Sequence, residues 1–216
     1  MTETDSAADT VIVLDFETTG LSPDQGERAI EIGAVKLIDG IVVDTFQQLM
    51  YPGKRINSFI ENYTGITNSM LKDVPPCSEV MCEFSDFIDG FNLVAHNASF
   101  DSRFLDAELR RVKRNQRGEF ACSMLIARRV YPDAPNHKLA TLVRYKCLPN
   151  DGTFHRALAD SQMTAHLWLE MINDIKNSHP FEHVPFNVMQ QLSRTSKYAA
   201  LAFLARESAN YLNNQT

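Results

Sequence analysis

No stretch of this chain approaches the ~20 consecutive apolar residues that a membrane-spanning helix requires. Yet 44% of its 216 residues are hydrophobic, ample for a buried core in one α/β domain or a domain plus an extension. Cysteine is scarce: Cys77, Cys82, Cys122 and Cys147 are the four, and they lack the spacing of a zinc site. Residues 1–10 are acidic and polar, the opposite of a secretory signal, and are expected to form a flexible, fraying N-terminus. Reduced structural thiols and a cytoplasmic location are therefore expected. Positive charge is also in deficit, with 21 Lys and Arg against 27 Asp and Glu for a net −6. That balance argues against non-specific nucleic-acid binding through a large basic surface. It excludes neither a local basic groove nor an enzyme whose acids are balanced by bound metal. Arg103, Arg110, Arg111, Lys113, Arg114 and Arg117 fall close together, as a solvated helix face and loop or as a phosphate-binding patch. Internal repeats and low-complexity tracts are lacking too.

What is present begins with residues 11–21. Four aliphatic residues, Val11 to Leu14, predict a strand buried on both faces, yet it ends in Asp15 and Glu17. Side chains at i and i+2 of a strand share a face, so the two carboxylates converge and resist burial together. A divalent cation held by hard oxygen ligands would remove that difficulty. The plainer alternative is an exposed edge strand with two solvated acids. Residues 29–38 and 41–51 predict two further strands, joined at Asp39-Gly40, a strong hairpin signal, so the chain opens as an antiparallel meander. Short helical pieces are expected at 56–63 and 68–72, then a helix at 78–90 and a strand at 92–96. Residues 97–99 can cap a helix over 100–113. A strand at 120–123 and helices at 124–130, 137–146 and 156–175 follow. The loop at 151–153 precedes His155. On the last of these helices Asp160, Thr164, Leu167 and Met171 share one stripe, and a carboxylate on a buried face is a second anomaly. Helical character returns at 188–192 and 198–212.

A third acid, Asp101, falls in the first turn of its helix, where it could simply complement the helix dipole. Taken together, however, three segments resemble a known pattern. Asp15-Phe16-Glu17-Thr18-Thr19-Gly20, His96-Asn97-Ala98-Ser99-Phe100-Asp101 and His155-Arg156-Ala157-Leu158-Ala159-Asp160 are similar to the three exonuclease motifs of the DEDD superfamily. The spacing from His155 to Asp160 matches the histidine-containing DEDDh (DnaQ-like) branch. To that branch belong the proofreading epsilon subunit of bacterial DNA polymerase III, exonuclease X, ribonuclease T and oligoribonuclease. The likeness covers residues 11–171.

The resemblance implies an α/β, ribonuclease H-like fold: a mixed five-stranded sheet, central strand first, with helices on both sides. An exonuclease domain over 11–176 is expected, and the helical pattern of the tail predicts a C-terminal helical extension, 177–216, packed on it; a partner-binding helix is the alternative for the tail. The resemblance implies a metal-dependent 3′–5′ exonuclease releasing nucleoside 5′-monophosphates from single-stranded or frayed DNA. Asp15, Glu17 and Asp160 would bind two Mg²⁺ or Mn²⁺ ions, Asp101 would complete the site through a coordinated water, and His155 would be the general base. Two hard cations can hold the nucleophile and stabilise the leaving oxygen, and a neutral histidine accepts a proton near physiological pH. Thr18, Thr19 and Gly20 are implied contacts of the terminal nucleotide. Thr64, where many relatives have histidine, stands in the segment that meets the terminal base. His96, Asn97 and Phe100 would line the sugar pocket, with core packing the alternative for Phe100. RNA trimming within the branch, and a polymerase-associated subunit, are the alternative functions. No clamp-binding consensus stands at 188–193, which disfavours the second. Some members of the branch form dimers, so a homodimer stays open.

Overall fold

The computed structural model describes residues 6–150, 152 and 155–213. Five strands form one sheet in the order β3-β2-β1-β4-β5, with β1 Val11–Thr18, β2 Ala29–Ile38, β3 Ile41–Leu49, β4 Leu93–Ala95 and β5 Phe120–Cys122. β1 pairs antiparallel with β2 and parallel with β4, so the first strand lies at the centre of a mixed sheet. The helices are α1 Ser58–Thr64, α2 Cys77–Ile88, α3 Ser99–Arg111, α4 Ser123–Val130, α5 Leu139–Tyr145, α6 Ala157–Ser178, α7 Phe186–Arg194 and α8 Ala200–Asn213. This is the expected mixed α/β sheet of the ribonuclease H-like fold, with helices on both faces.

Strand alternation divides the core. Val11 and Val13 of β1 join Trp168 and Met171 of α6, while Ile12, Leu14 and Phe16 meet Phe84 of α2 and Phe104 and Leu105 of α3. Burying each such side chain stabilises the fold by ~1.5–3 kcal/mol. The same alternation places Asp15 and Glu17 on the α6 side. On β2 the sequence pattern assigns Ile30, Ile32, Ala34 and Lys36 to one face, but both faces are covered: the other carries Glu31, Gly33, Val35 and Leu37, all buried. At Gly33 the main chain of α6 approaches so closely that an added Cβ would lie 2.1 Å from the Leu158 nitrogen. Only glycine permits that contact.

Several local expectations differ from the structure. Residues 6–10, expected to fray, are bound instead: the Ala8 N–H donates to the Val184 carbonyl at 2.8 Å, and the Trp168 indole N–H donates to the Ala8 carbonyl at 2.7 Å. Residues 1–5 lie outside the described residues, as do 214–216 and, in the loop before His155, residues 151, 153 and 154. Residues 68–72 form turns rather than a helix, because the Asn68 side chain bonds both the N–H and the carbonyl of Ile56. No side chain caps α3; Asn97 sits in the left-handed region at φ 70° and turns the chain into the helix. Beyond residue 178, Val188, Met189 and Leu192 of α7 and Phe203 and Leu204 of α8 are buried in the α6-side core. All four thiols are free. Among the described residues no helix is long and apolar enough to cross a membrane.

Candidate active site

The C-terminal end of β1, the start of α3 and the start of α6 meet at a cleft of about 520 Å³. Asp15, Glu17, Asp101, Asp160 and His155 all line it. Asp101 reaches the site from α3, its Oδ1 accepting the Phe16 N–H at 3.1 Å. Asp160 comes from the first turn of α6, its Oδ2 accepting the His155 N–H at 2.9 Å. Glu17, His155 and Asp160 each present one ligand atom, and these lie within 4.8 Å of one another. His155 is exposed, holds a left-handed φ of 62°, and packs its ring against Tyr63 at 4.2 Å between centroids.

Two ion pairs, each joining a buried glutamate to a partly exposed arginine, position the acids. Glu108 of α3 takes Arg28 at 2.7 and 2.9 Å and the Ala29 N–H at 3.3 Å, tying the helix of Asp101 to β2. Glu31 of β2, opposite Glu17 in the sheet, takes Arg156 at 2.8 and 3.1 Å and the Ala157 N–H at 3.1 Å. The Ser161 hydroxyl donates to the Gly33 carbonyl at 2.9 Å. Together these bonds fix the start of α6, and with it Asp160, against the sheet. Charge-assisted bidentate pairs of this kind fix geometry as well as adding energy.

Crowding has an electrostatic consequence. Burial, then the charges of Asp101, Asp160, Glu17 and Glu31, raises the Asp15 carboxyl well above the usual range. Glu17 is pushed up to about 8, by burial first and then by Asp160, Glu31 and Asp101. Burial raises Asp101, and also Asp160, where the bond from the His155 N–H opposes it. Four acids in one cleft cannot all ionise cheaply. A divalent cation resolves that conflict, and a donor set dominated by carboxylate oxygen suits Mg²⁺ or Mn²⁺. The residues present fit such a group.

The other expected contacts divide. Thr18, Gly20, Thr64, His96, Asn97 and Phe100 line the cleft; Thr19 does not. The Thr19 hydroxyl bonds Glu27, and its N–H donates to the Arg28 carbonyl at 2.8 Å, so no donor is left for a nucleotide. The Thr64 hydroxyl donates to the Ile60 carbonyl at 2.9 Å. Both ring nitrogens of His96 are engaged, with the Ser123 hydroxyl and the His137 carbonyl, each at 2.9 Å, and burial lowers its pKa to about 4. Phe100 both faces the cleft and packs on Phe104 at 4.9 Å between centroids.

The family model described as "Exonuclease" (RNase_T) matches residues 12–168. The chain belongs to the exonuclease family. It is 38% identical over 168 residues to a DNA polymerase III of PolC type from Caldanaerobacter subterraneus subsp. tengcongensis, covering 76% of this chain and 12% of that protein. It is 32% identical to the 3′-5′ exonuclease DinG of Bacillus subtilis, over 87% of this chain and 19% of that protein. The chain therefore spans less than a fifth of the length of either relative. Among solved structures, exonuclease X in complex with 5′ overhanging duplex DNA superposes with a TM-score of 0.67 at 28% identity, covering 85% of this chain and 99% of that one. The nuclease domain of 3′hExo, a DEDDh family member bound to rAMP, has a TM-score of 0.66 at 22% identity, over 79% and 94% of the two chains; that likeness is one of fold. This member of the exonuclease family thus shares its fold with that DEDDh nuclease.

Sequence reasoning missed four features of this exonuclease's cleft. Phe59 and Tyr63 stand at its mouth, 71% and 52% exposed, with rings 9° from parallel. Exposed aromatics four apart on a short helix carried the signal. Glu31 and Gly33 also escaped notice, although a glutamate and a glycine on the face of β2 opposite Ile32 and Ala34 are as anomalous as Asp15 and Glu17.

Proposed function

We propose that the chain removes nucleotides one at a time from the 3′ end of single-stranded or frayed DNA, releasing nucleoside 5′-monophosphates. The observation that carries this reading is the convergence of Asp15, Glu17, Asp101, Asp160 and His155 on one cleft. Asp15, Glu17 and Asp160, completed by Asp101, would hold two Mg²⁺ or Mn²⁺ ions. Bound there, such ions stabilise the developing charge of an in-line phosphoryl displacement. His155 takes the proton of the attacking water; it is exposed to the cleft, and its backbone is anchored to Asp160. The cleft volume suits a terminal nucleotide, and the exposed faces of Phe59 and Tyr63 offer base-stacking surfaces that need no particular sequence.

DNA is favoured because exonuclease X, at 28% identity, is described in complex with DNA. Hydrolysis of matched DNA and RNA oligonucleotides tests this, and a faster rate on RNA would assign the chain to RNA trimming. A second reading, a proofreading unit, is favoured by the identity with PolC-type polymerase. Copurification with a polymerase through moderate salt would establish it.

A further inference from the structure

Beside the cleft lies a second concavity of about 340 Å³, lined by Arg128, Arg129, Pro132, His137 and Lys197. Arg128 and Arg129 come from the end of α4, and Lys197 from the turn between α7 and α8. Among the described residues, neither arginine nor Lys197 takes part in a salt bridge. In a chain of net charge −6, three cations without an ion pair among the described residues surround one hollow, a setting that suits an anion. Arg129 is fixed by donating from Nε to the Thr195 carbonyl and from Nη1 to the Leu125 carbonyl, each at 2.8 Å. Among the described residues its Nη2 donors have no hydrogen-bond partner, in the planar geometry that suits phosphate.

The concavity and the catalytic cleft share a wall. The His137 carbonyl accepts from His96, whose ring faces the cleft, and Leu139, two residues on, lines the cleft as well. A strand whose 3′ end lies at the carboxylates can pass this wall with its next phosphates over the cationic hollow. Lys197 stands beyond residue 168, where the family match ends.

We propose that this concavity binds the backbone phosphates of the substrate strand behind its 3′-terminal nucleotide, with the C-terminal helices supplying Lys197. The proposal rests on the exonuclease reading above. It gives the extension a part in substrate binding, separate from chemistry at the cleft.

The test compares the wild-type chain with Arg128→Gln/Lys197→Gln and with Lys197→Gln alone, an exposed site where loss of folding is not expected; thermal melts check this. Two substrates are used: thymidine 5′-monophosphate p-nitrophenyl ester, which carries one phosphate, and single-stranded DNA of two to twelve nucleotides. The ester should be hydrolysed by both variants within twofold of wild type. In wild type, KM should fall as the DNA lengthens. The double variant should lose this gain, raising KM for the longest DNA roughly tenfold at unchanged kcat. Its log KM against log salt should flatten by about 1.4, from ~0.7 per phosphate contact. Lys197→Arg should restore wild-type behaviour relative to Lys197→Gln. Wild-type length dependence and salt slope in the double variant would overturn the proposal, including in favour of an acidic protein partner. Wild-type protein that cleaves neither substrate would instead overturn the exonuclease reading itself.

Discussion

Replacing Gly33 with alanine tests how the fold delivers Asp160 to the site. The added Cβ would lie 2.1 Å from the Leu158 nitrogen, 2.2 Å from the Ala157 carbon and 2.5 Å from the Ala157 oxygen. All three are main-chain atoms, so no rotamer relieves the clash. Restoring ordinary contact at 3.4 Å requires the start of α6 to retreat by about 1.3 Å. That movement strains the Ser161–Gly33 bond and the Glu31–Arg156 pair, and it carries Asp160 away from Glu17. Overpacking of this sort costs ~1–3 kcal/mol of stability, and a shift of ~1 Å at a catalytic group can cost about a hundredfold in rate. We expect kcat to fall at least that far while the protein stays folded, with a weaker Mg²⁺ dependence. Gly118→Ala is the control. Its Cβ would meet the Phe91 oxygen at 1.8 Å, outside the cleft lining, so it should destabilise without a comparable loss of kcat. Steady-state rates across a Mg²⁺ titration, with thermal melts of both variants, decide the matter. A Gly33→Ala enzyme with wild-type kcat and Mg²⁺ dependence would refute the argument.

Three further outcomes follow from the site. Glu31→Gln leaves Arg156 without its charged partner, so kcat should drop more than tenfold with KM nearly constant; unchanged kcat would remove Glu31 as a positioning residue. Phe59→Ala should raise KM for oligonucleotides about fivefold or more, from ~1–3 kcal/mol per stacked base, and an unchanged KM would exclude the aromatic platform. For pH, Glu17 rises from the ordinary 4.5 to about 8 in the folded protein. A raised acid binds its proton more tightly folded than unfolded, so its stabilising effect is complete below 4.5 and lost as pH rises through about 8. Melting temperatures of chelator-treated protein should therefore decline between pH 5 and 9. Added Mg²⁺ should recover them most at the alkaline end, and a flat profile with no Mg²⁺ effect would contradict this.

The strands and most helices were legible because their signals are local: aliphatic runs, the Asp39-Gly40 hairpin and helical stripes such as Thr164, Leu167 and Met171. Asp15, Glu17 and Asp160 stood out because a carboxylate on a buried stripe needs a reason, whereas Asp101 and His155 were proposed through the likeness of their segments to the exonuclease motifs. What escaped was set by long-range geometry. That His96 spends both nitrogens on Ser123 and His137 depends on partners distant in sequence, and that Thr19 spends its hydroxyl on Glu27 depends on how the loop between them folds. Binding of residues 6–10 depends likewise on Trp168 and Val184, which no local pattern announces.

Metal-dependent removal of 3′-terminal nucleotides is the activity proposed for the acid cluster and His155. It is tested most directly by following 5′-labelled single-stranded DNA in Mg²⁺ with wild type, Asp15→Ala and His155→Ala, with the released products identified. Wild type should shorten the strand stepwise from its 3′ end and release nucleoside 5′-monophosphates. Both variants should lose at least a thousandfold in rate while melting as folded proteins. Full activity in either variant, or release of nucleoside 3′-monophosphates, would contradict the account.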